Sequence, residues 1–397
     1  MLHLNFVMVK DINTDMANEV DISESKLFLE QPAVLKRLLR CHSRFALYRE
    51  QHPKDFKGHE DECHIIWATA DYAKMGKGFR FQDQIEEKNI TGQNGLIIRP
   101  RAIKSTEEQS QRSKNMAEVF TPTWVCNAQN NLIDNAWFGR EGVFNEEYIE
   151  NGEHKWKPSK GNIVFDNDNA ERSWKAYVRE QRLEMACGEA PYLVSRYDVV
   201  NYTDQLIPVE MRIGLLDRKL RVVSENVDEP TQWMDWAEQA LKATYGFEWQ
   251  GDNLLLAREA VLMTVCDYFE AKFGEPISAD KKRKARLNYL AYIISWNLWQ
   301  MDGLKMVIPC SCKATRVVAN QKDIDGAKAQ IEAQKMSLFP MNIEIPKPQF
   351  EMRPCEGCQS GDYSKHTGIL CRVRDWTYEG KDYDKQRPYF YTLFNNN

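Results

Sequence analysis

An apolar segment that closes on an acid, followed by a run of small residues and a helix start, constrains this chain more than any other feature. It is Leu183-Glu-Met-Ala-Cys-Gly-Glu-Ala-Pro-Tyr-Leu193. As strand, turn and helix it belongs at the carboxyl edge of a parallel sheet, where open α/β folds place nucleotide-like ligands. Cys187, Gly188 and Ala190 let the backbone come close to a ligand, and a helix start offers free N–H groups. The dinucleotide fingerprint G-x-G-x-x-G is absent, because Ala190 holds its second glycine position and Leu193 its third. A nicotinamide-dependent dehydrogenase is therefore a poor reading.

Residue patterning predicts alternating helices and strands around this segment. Residues 1–30 are polar and acidic without clear periodicity, and 33–48 carry apolar residues at helical spacing. Residues 64–69 read as a short buried strand, 91–95 as a turn, and the charged stretch to about 117 as a helix. A further helix is predicted over 123–138, ending at Gly139, with a surface excursion over 140–170. Helical spacing returns over 172–182, 212–225 and 232–244, then a short strand at 245–249 and a long helix over 253–273. Strands are predicted at 293–302 and 305–308, and a helix over 322–336.

Composition bounds the class. Hydrophobic residues make up 43% and there are eleven tryptophans, as in a folded chain with a sizeable core. No apolar run reaches the ~18 residues of a membrane span, so no membrane partner is expected. The first ten residues lack the pattern of a secretory signal, which with reduced cysteines leads us to expect a cytoplasmic protein. A net charge of −5 exerts no global pull on nucleic acid, so a DNA-binding face would be local. Lys281-Lys-Arg-Lys-Ala-Arg286 is one such patch, although a charge run of this kind is more often a solvated helix surface.

The ten cysteines are unevenly placed. Cys41, Cys63, Cys126, Cys187 and Cys266 are scattered, whereas Cys310-Ser-Cys312 and Cys355-Glu-Gly-Cys358 form two close pairs, followed by His366 and Cys371. Two such pairs suit one tetrahedral Zn²⁺. Cys310, Cys312, Cys355 and Cys358 are the expected ligands, with His366 and Cys371 as substitutes, and the zinc is expected to be structural.

Four segments in order carry a family resemblance. Leu183–Leu193 resembles the first S-adenosylmethionine (SAM) motif of adenine-N6 DNA methyltransferases, D/E-P-x-x-G-x-G, with Met185 in place of Pro and Ala190 in place of Gly. Upstream, Ala117-Glu-Val-Phe-Thr-Pro-Thr123 resembles the E/Q-x-F-T-P loop of restriction-modification M subunits. Downstream, Tyr245-Gly-Phe-Glu-Trp249 with Ala257-Arg258 resembles the second motif, and Trp296–Leu304 the third, closing on D-x-L. More broadly, residues 60–375 are similar to M subunits, through 66–69, 117–131, 188–198, 212–219 and 294–304.

The resemblance implies a SAM site lined by Glu184, Cys187, Gly188, Ala190, Glu248 and Asp302, roofed by Phe120, Thr121 and Pro122. Glu248 would hold the ribose hydroxyls, with Asp217 and Asp252 as competing acids, and Asp302 would meet the adenine amino group. The family's catalytic N/D-P-P-Y/F is absent from these 397 residues, so no catalytic residue is assigned. The expected fold is an α/β, Rossmann-like methyltransferase sheet (117–309) after a mostly helical N-terminal region (1–116). A zinc-ribbon-like Cys-rich insertion (310–375) and a tail (376–397) would follow. The expected function is the SAM-binding part of an adenine-N6 DNA methyltransferase acting on double-stranded DNA, with a second polypeptide supplying the catalytic loop or target recognition. The alternative is a non-catalytic zinc-ribbon DNA-binding or specificity protein with a vestigial SAM fold.

Overall fold

The structure, a computed structural model, describes residues 31–100, 121–166, 168–198, 206–336 and 341–394. The chain divides into two compact units, Met1–Gln300 and Met301–Asn397. The expected N-terminal region and nearly all of the expected core thus share one unit, and the Cys-rich segment and the tail share the other.

In the first unit the helical periodicity of 33–48 resolves into two helices, α1 (Pro32–Leu39) and α2 (His42–Gln51). The break falls at Arg40, which bridges His64, and Cys41, whose N–H donates to the Cys63 carbonyl. Residues 64–69 are buried, but they make isolated bridges where a strand was expected, and Ala68 has a φ of 51°. Helix α3 (Thr123–Phe138) ends at Gly139 in the left-handed conformation, as its sequence predicts. The excursion that follows holds an antiparallel hairpin, β1 (Asn145–Glu150) and β2 (Glu153–Pro158). Their charged side chains give no apolar alternation by which to read them.

Helix α4 (Trp174–Arg179) leads into β3 (Arg182–Met185), the strand predicted to close on Glu184. It pairs in parallel with β4 (Thr244–Glu248), which pairs in parallel with β5 (Leu298–Gln300). Between β3 and β4 lie α5 (Leu215–Asn226) and α6 (Pro230–Lys242); between β4 and β5 lie α7 (Gly251–Phe273) and α8 (Lys281–Asn297). The described residues therefore form a mixed α/β fold with a small parallel sheet, and three strands are fewer than a full Rossmann-like sheet. β3 is an edge strand among the described residues, and its Leu183 and Met185 are 43% and 72% exposed.

The strand expected over 293–302 is mostly helix, with only Leu298–Gln300 in the sheet. Ile293, Ile294 and Trp296 are apolar because the last turns of α8 are enclosed by protein, and a short apolar run does not separate a buried helix from a strand. Residues 305–308 make only bridges, from Val307 to Asp302 and Leu370. The basic run 281–286 opens α8 behind the Asp280 cap; Arg283 pairs with Glu275, and Arg286 with Asp235 and Glu238.

Helix α7 is buried along most of its length, the signature of a core helix. Inside it lies Arg258, 1% exposed. Its guanidinium donates to the carbonyls of Leu298 (2.7 and 2.9 Å), Ser295 (3.1 Å), Arg40 (3.0 Å) and Leu38. These carbonyls close α1 and α8, where a helix carries its negative pole. Burial lowers the Arg258 pKa to about 10, which leaves it charged at neutral pH. Lys219 repeats the device: its buried amino group, whose pKa burial lowers well below the ordinary range, donates to the carbonyls of Glu180 (2.6 Å) and Ala243 (2.9 Å), joining α5 to the starts of β3 and β4.

Asp217, in the first turn of α5, accepts from the N–H groups of Ser195 (2.8 Å) and Gly214 (3.1 Å). Burial, partly offset by Arg212 and these donors, pushes its pKa from 3.8 up to about 6. A proton on Asp217 therefore favours the folded chain. That stabilisation is full below the unfolded value and lost as pH rises through about 6, and it amounts to roughly 3 kcal/mol. In Asp217→Asn this dependence disappears while an acceptor oxygen remains. Urea unfolding is expected to show the variant gaining on the parent as pH rises from about 4 to 7; parallel pH profiles would contradict this assignment.

Candidate functional sites

The sheet's carboxyl edge gathers several of the expected cofactor residues. Glu184 of β3 pairs with Gly246 of β4, and Glu248 closes β4 opposite Gln300 of β5. Cys187 extends β3 by one more ladder bond, its N–H donating to the Phe247 carbonyl (2.8 Å). Its thiol is buried against Gly246, and burial raises its pKa well above the ordinary range, so it packs the sheet and does not line an opening.

The helix start expected after β3 is not there: residues 189–198 are turns and bends, so the N–H groups offered at this edge belong to a loop, and that loop is conformationally strained. Ala186, Gly188 and Ala190 all have positive φ, at 52°, 53° and 63°. Glycine takes such a conformation freely, whereas alanine does so at a cost of about 1–2 kcal/mol. Ala190, where the family motif has Gly, thus adopts the backbone that glycine would have supplied. A side chain at Gly188 would meet nothing within 4 Å, so open space lies beside the loop.

Two buried carboxylates hold this loop. Glu248 accepts from the N–H of Gly188 (2.9 Å) with one oxygen and from that of Gln250 (3.1 Å) with the other. Glu184 accepts from the N–H of Tyr192 (3.4 Å), and its Oε2 is buried with no hydrogen-bond partner. Burial raises both carboxyls above their ordinary range; for Glu184 the donors at Tyr192 and Leu193 offset part of the rise, and the Glu248 charge adds to it. The competing acids have other tasks. Asp217 is enclosed at the start of α5, and Asp252, also fully buried, accepts from the Tyr72 hydroxyl (2.9 Å).

Thr121 reaches the same loop through a side-chain hydrogen bond with Tyr192, and Pro122 caps α3. Phe120 lies outside the described residues. Sequence reasoning missed Tyr192, Asn130 and Gln300. Asn130 donates to the carbonyls of Tyr192 (3.0 Å) and Ile213 (3.1 Å), fixing the loop to α3. Gln300 accepts from Ile66 N–H (2.9 Å) and donates to the Ile66 (2.8 Å) and Trp249 (2.9 Å) carbonyls. Gln300 closes β5 in register with Glu248, two residues before Asp302.

In the second unit, Asp302 accepts from the N–H groups of Leu304 (3.0 Å) and Lys305 (3.2 Å) and closes its own turn. The cysteine-rich segment brings together Cys312, Cys355, Cys358 and His366, a group that could hold a metal ion such as zinc. Cys310 and Cys371 are not in it; Cys310 has a φ of 55° and Cys371 is buried. His366, expected as a substitute, is the fourth member. Burial opposes ionisation of Cys355, but the N–H groups of Thr367 and Cys358 and the Cys312 and His366 side chains outweigh it and bring its pKa to about 5. Burial and its sulfur neighbours push Cys358 up to about 11.

Comparison with protein-family models, curated proteins and solved structures finds no match to this chain.

The strain in the β3 loop is measurable. Ala186 is exposed at a φ of 52°, so Ala186→Gly is expected to stabilise the chain by about 1 kcal/mol in urea unfolding. A destabilisation of that size would show that the loop is not held in this conformation.

Proposed function

We propose that the first unit binds S-adenosylmethionine, and that the chain is the cofactor-binding part of a DNA adenine-N6 methyltransferase of the restriction-modification type. The carrying observation is the convergence of Glu184 and Glu248, on adjacent parallel strands, upon one loop with open space at Gly188. A cofactor with a cationic amino-acid end and a ribose diol presents the donors that two carboxylates accept. The buried, unpartnered oxygen of Glu184 is an acceptor suited to such a donor. SAM supplies a methyl group activated by its sulfonium, and the protein contributes binding and orientation. Glu184, Gly188 and Glu248 are the residues we assign to holding it, with Thr121 and Pro122 beside them.

Calorimetric titration with SAM and its demethylated product tests this reading. Glu248→Gln is expected to weaken SAM at least tenfold, about 1.5 kcal/mol or more, with a melting curve recorded alongside to establish that the variant is folded. No binding by the parent chain would overturn the proposal. Tritiated-methyl incorporation into mixed-sequence DNA is expected only when an N/D-P-P-Y/F loop is supplied to these residues, because that loop orients the flipped base for transfer.

The Cys/His group of the second unit favours one other reading, a DNA-binding protein that uses no cofactor. Retention of duplex DNA by a chain that ignores SAM would select it.

A further inference from the structure

We infer that Cys312, Cys355, Cys358 and Nδ1 of His366 bind one Zn²⁺ as a structural site, and that this ion holds together the ribbon of residues 315–318 and 350–353. The first argument is metric. Zinc–sulfur bonds of about 2.3 Å and zinc–nitrogen bonds of about 2.0–2.1 Å, at tetrahedral angles, place sulfurs about 3.8 Å apart and sulfur about 3.6 Å from nitrogen. Cys312 Sγ lies 3.2 Å from Cys355 Sγ and 3.8 Å from Cys358 Sγ. His366 Nδ1 lies 3.6, 3.4 and 3.6 Å from the sulfurs of Cys312, Cys355 and Cys358. Even the shortest sulfur pair is far beyond the about 2.05 Å of a disulfide.

The backbone around the group is built for this approach. A Cβ on Gly357, between the paired cysteines, would lie 2.6 Å from His366 N and 2.8 Å from its Cγ. One on Gly368 would lie 2.9 Å from Cys312 N and 3.0 Å from Cys312 Cβ. Glycine at these two positions is what lets the histidine and Cys312 close on the pair.

The third argument is mechanical. Cys312 precedes β6 (Thr315–Val318) and Cys355 follows β7 (Phe350–Arg353), and the two strands pair from Thr315 with Arg353 to Val318 with Phe350. All of β7 is exposed, and the helix α9 (Gln321–Ala333) between the strands buries only Ile324. A two-stranded ladder without an apolar cover is marginal in water, and small units that lack a core use a staple. Four protein donors leave no open coordination position, which makes the site structural, and three thiolates with an imidazole suit zinc in tetrahedral geometry.

The test uses the full chain expressed with added zinc. Elemental analysis is expected to give about one zinc per chain, and cobalt substitution to give the visible absorption of a tetrahedral thiolate site. Cys310→Ser keeps the metal, Cys312→Ser and Cys355→Ser lose it, and His366→Cys, which preserves four donors, retains it. Chelation is expected to open 313–354 to protease while the fragment up to residue 300 persists. Absence of both zinc and a cobalt spectrum in the parent overturns the proposal. So does loss of metal in Cys310→Ser with retention in His366→Ala. Neither result depends on whether SAM binds.

Discussion

Arg258 is the interaction on which the first unit depends. A buried guanidinium without solvation would be prohibitive, and here the solvation is backbone: carbonyls from the ends of α1 and α8 surround it. One side chain thereby ties the core helix α7 to the N-terminal helical pair and to the strand β5. Removing it would leave several buried carbonyls without donors at once, a larger penalty than the loss of any single hydrogen bond. Lys219 does the same on a smaller scale at the amino ends of β3 and β4. Both basic side chains meet carbonyls, while the buried carboxyls of Glu184, Glu248 and Asp217 accept from N–H groups.

That division of labour shapes the sheet's carboxyl edge. Burial raises the pKa of both Glu184 and Glu248, the Glu248 charge adds to the rise at Glu184, and each accepts an N–H from a loop with alanines in left-handed conformations. Strain and buried charge at one edge are costs that the surrounding helices must offset, and they concentrate where a ligand would be held. Ala190 shows that the loop keeps its shape where the residue expected by motif is missing.

Much of this was legible in the sequence, and the failures have physical causes. The strand–acid–small-residue turn, the helix ending at Gly139 and the strand ending at Glu248 stood out because strand and cap chemistry are local. The stretch before Gln300 was misread because buried helix and buried strand are equally apolar. The β1–β2 hairpin was missed because Glu146, Glu147, Glu153 and Lys155 face solvent on a pair of strands with little to bury. At the metal group the cysteine spacing pointed to the right segment, but it could not rank His366 above Cys310, since that depends on how the chain folds back at Gly357.

The position of β3 carries a colloidal consequence. The strand that bears the first acid lies at the margin of its sheet among the described residues, with Leu183 and Met185 turned toward water. An apolar edge of this kind templates the addition of another strand, whether from a partner or from a second copy. A net charge of −5 on 397 residues gives only weak electrostatic repulsion between copies. Among the described residues β3 is thus the strand where such pairing would begin, and a lysine in place of Met185 would act as a gatekeeper without touching the acids beside it.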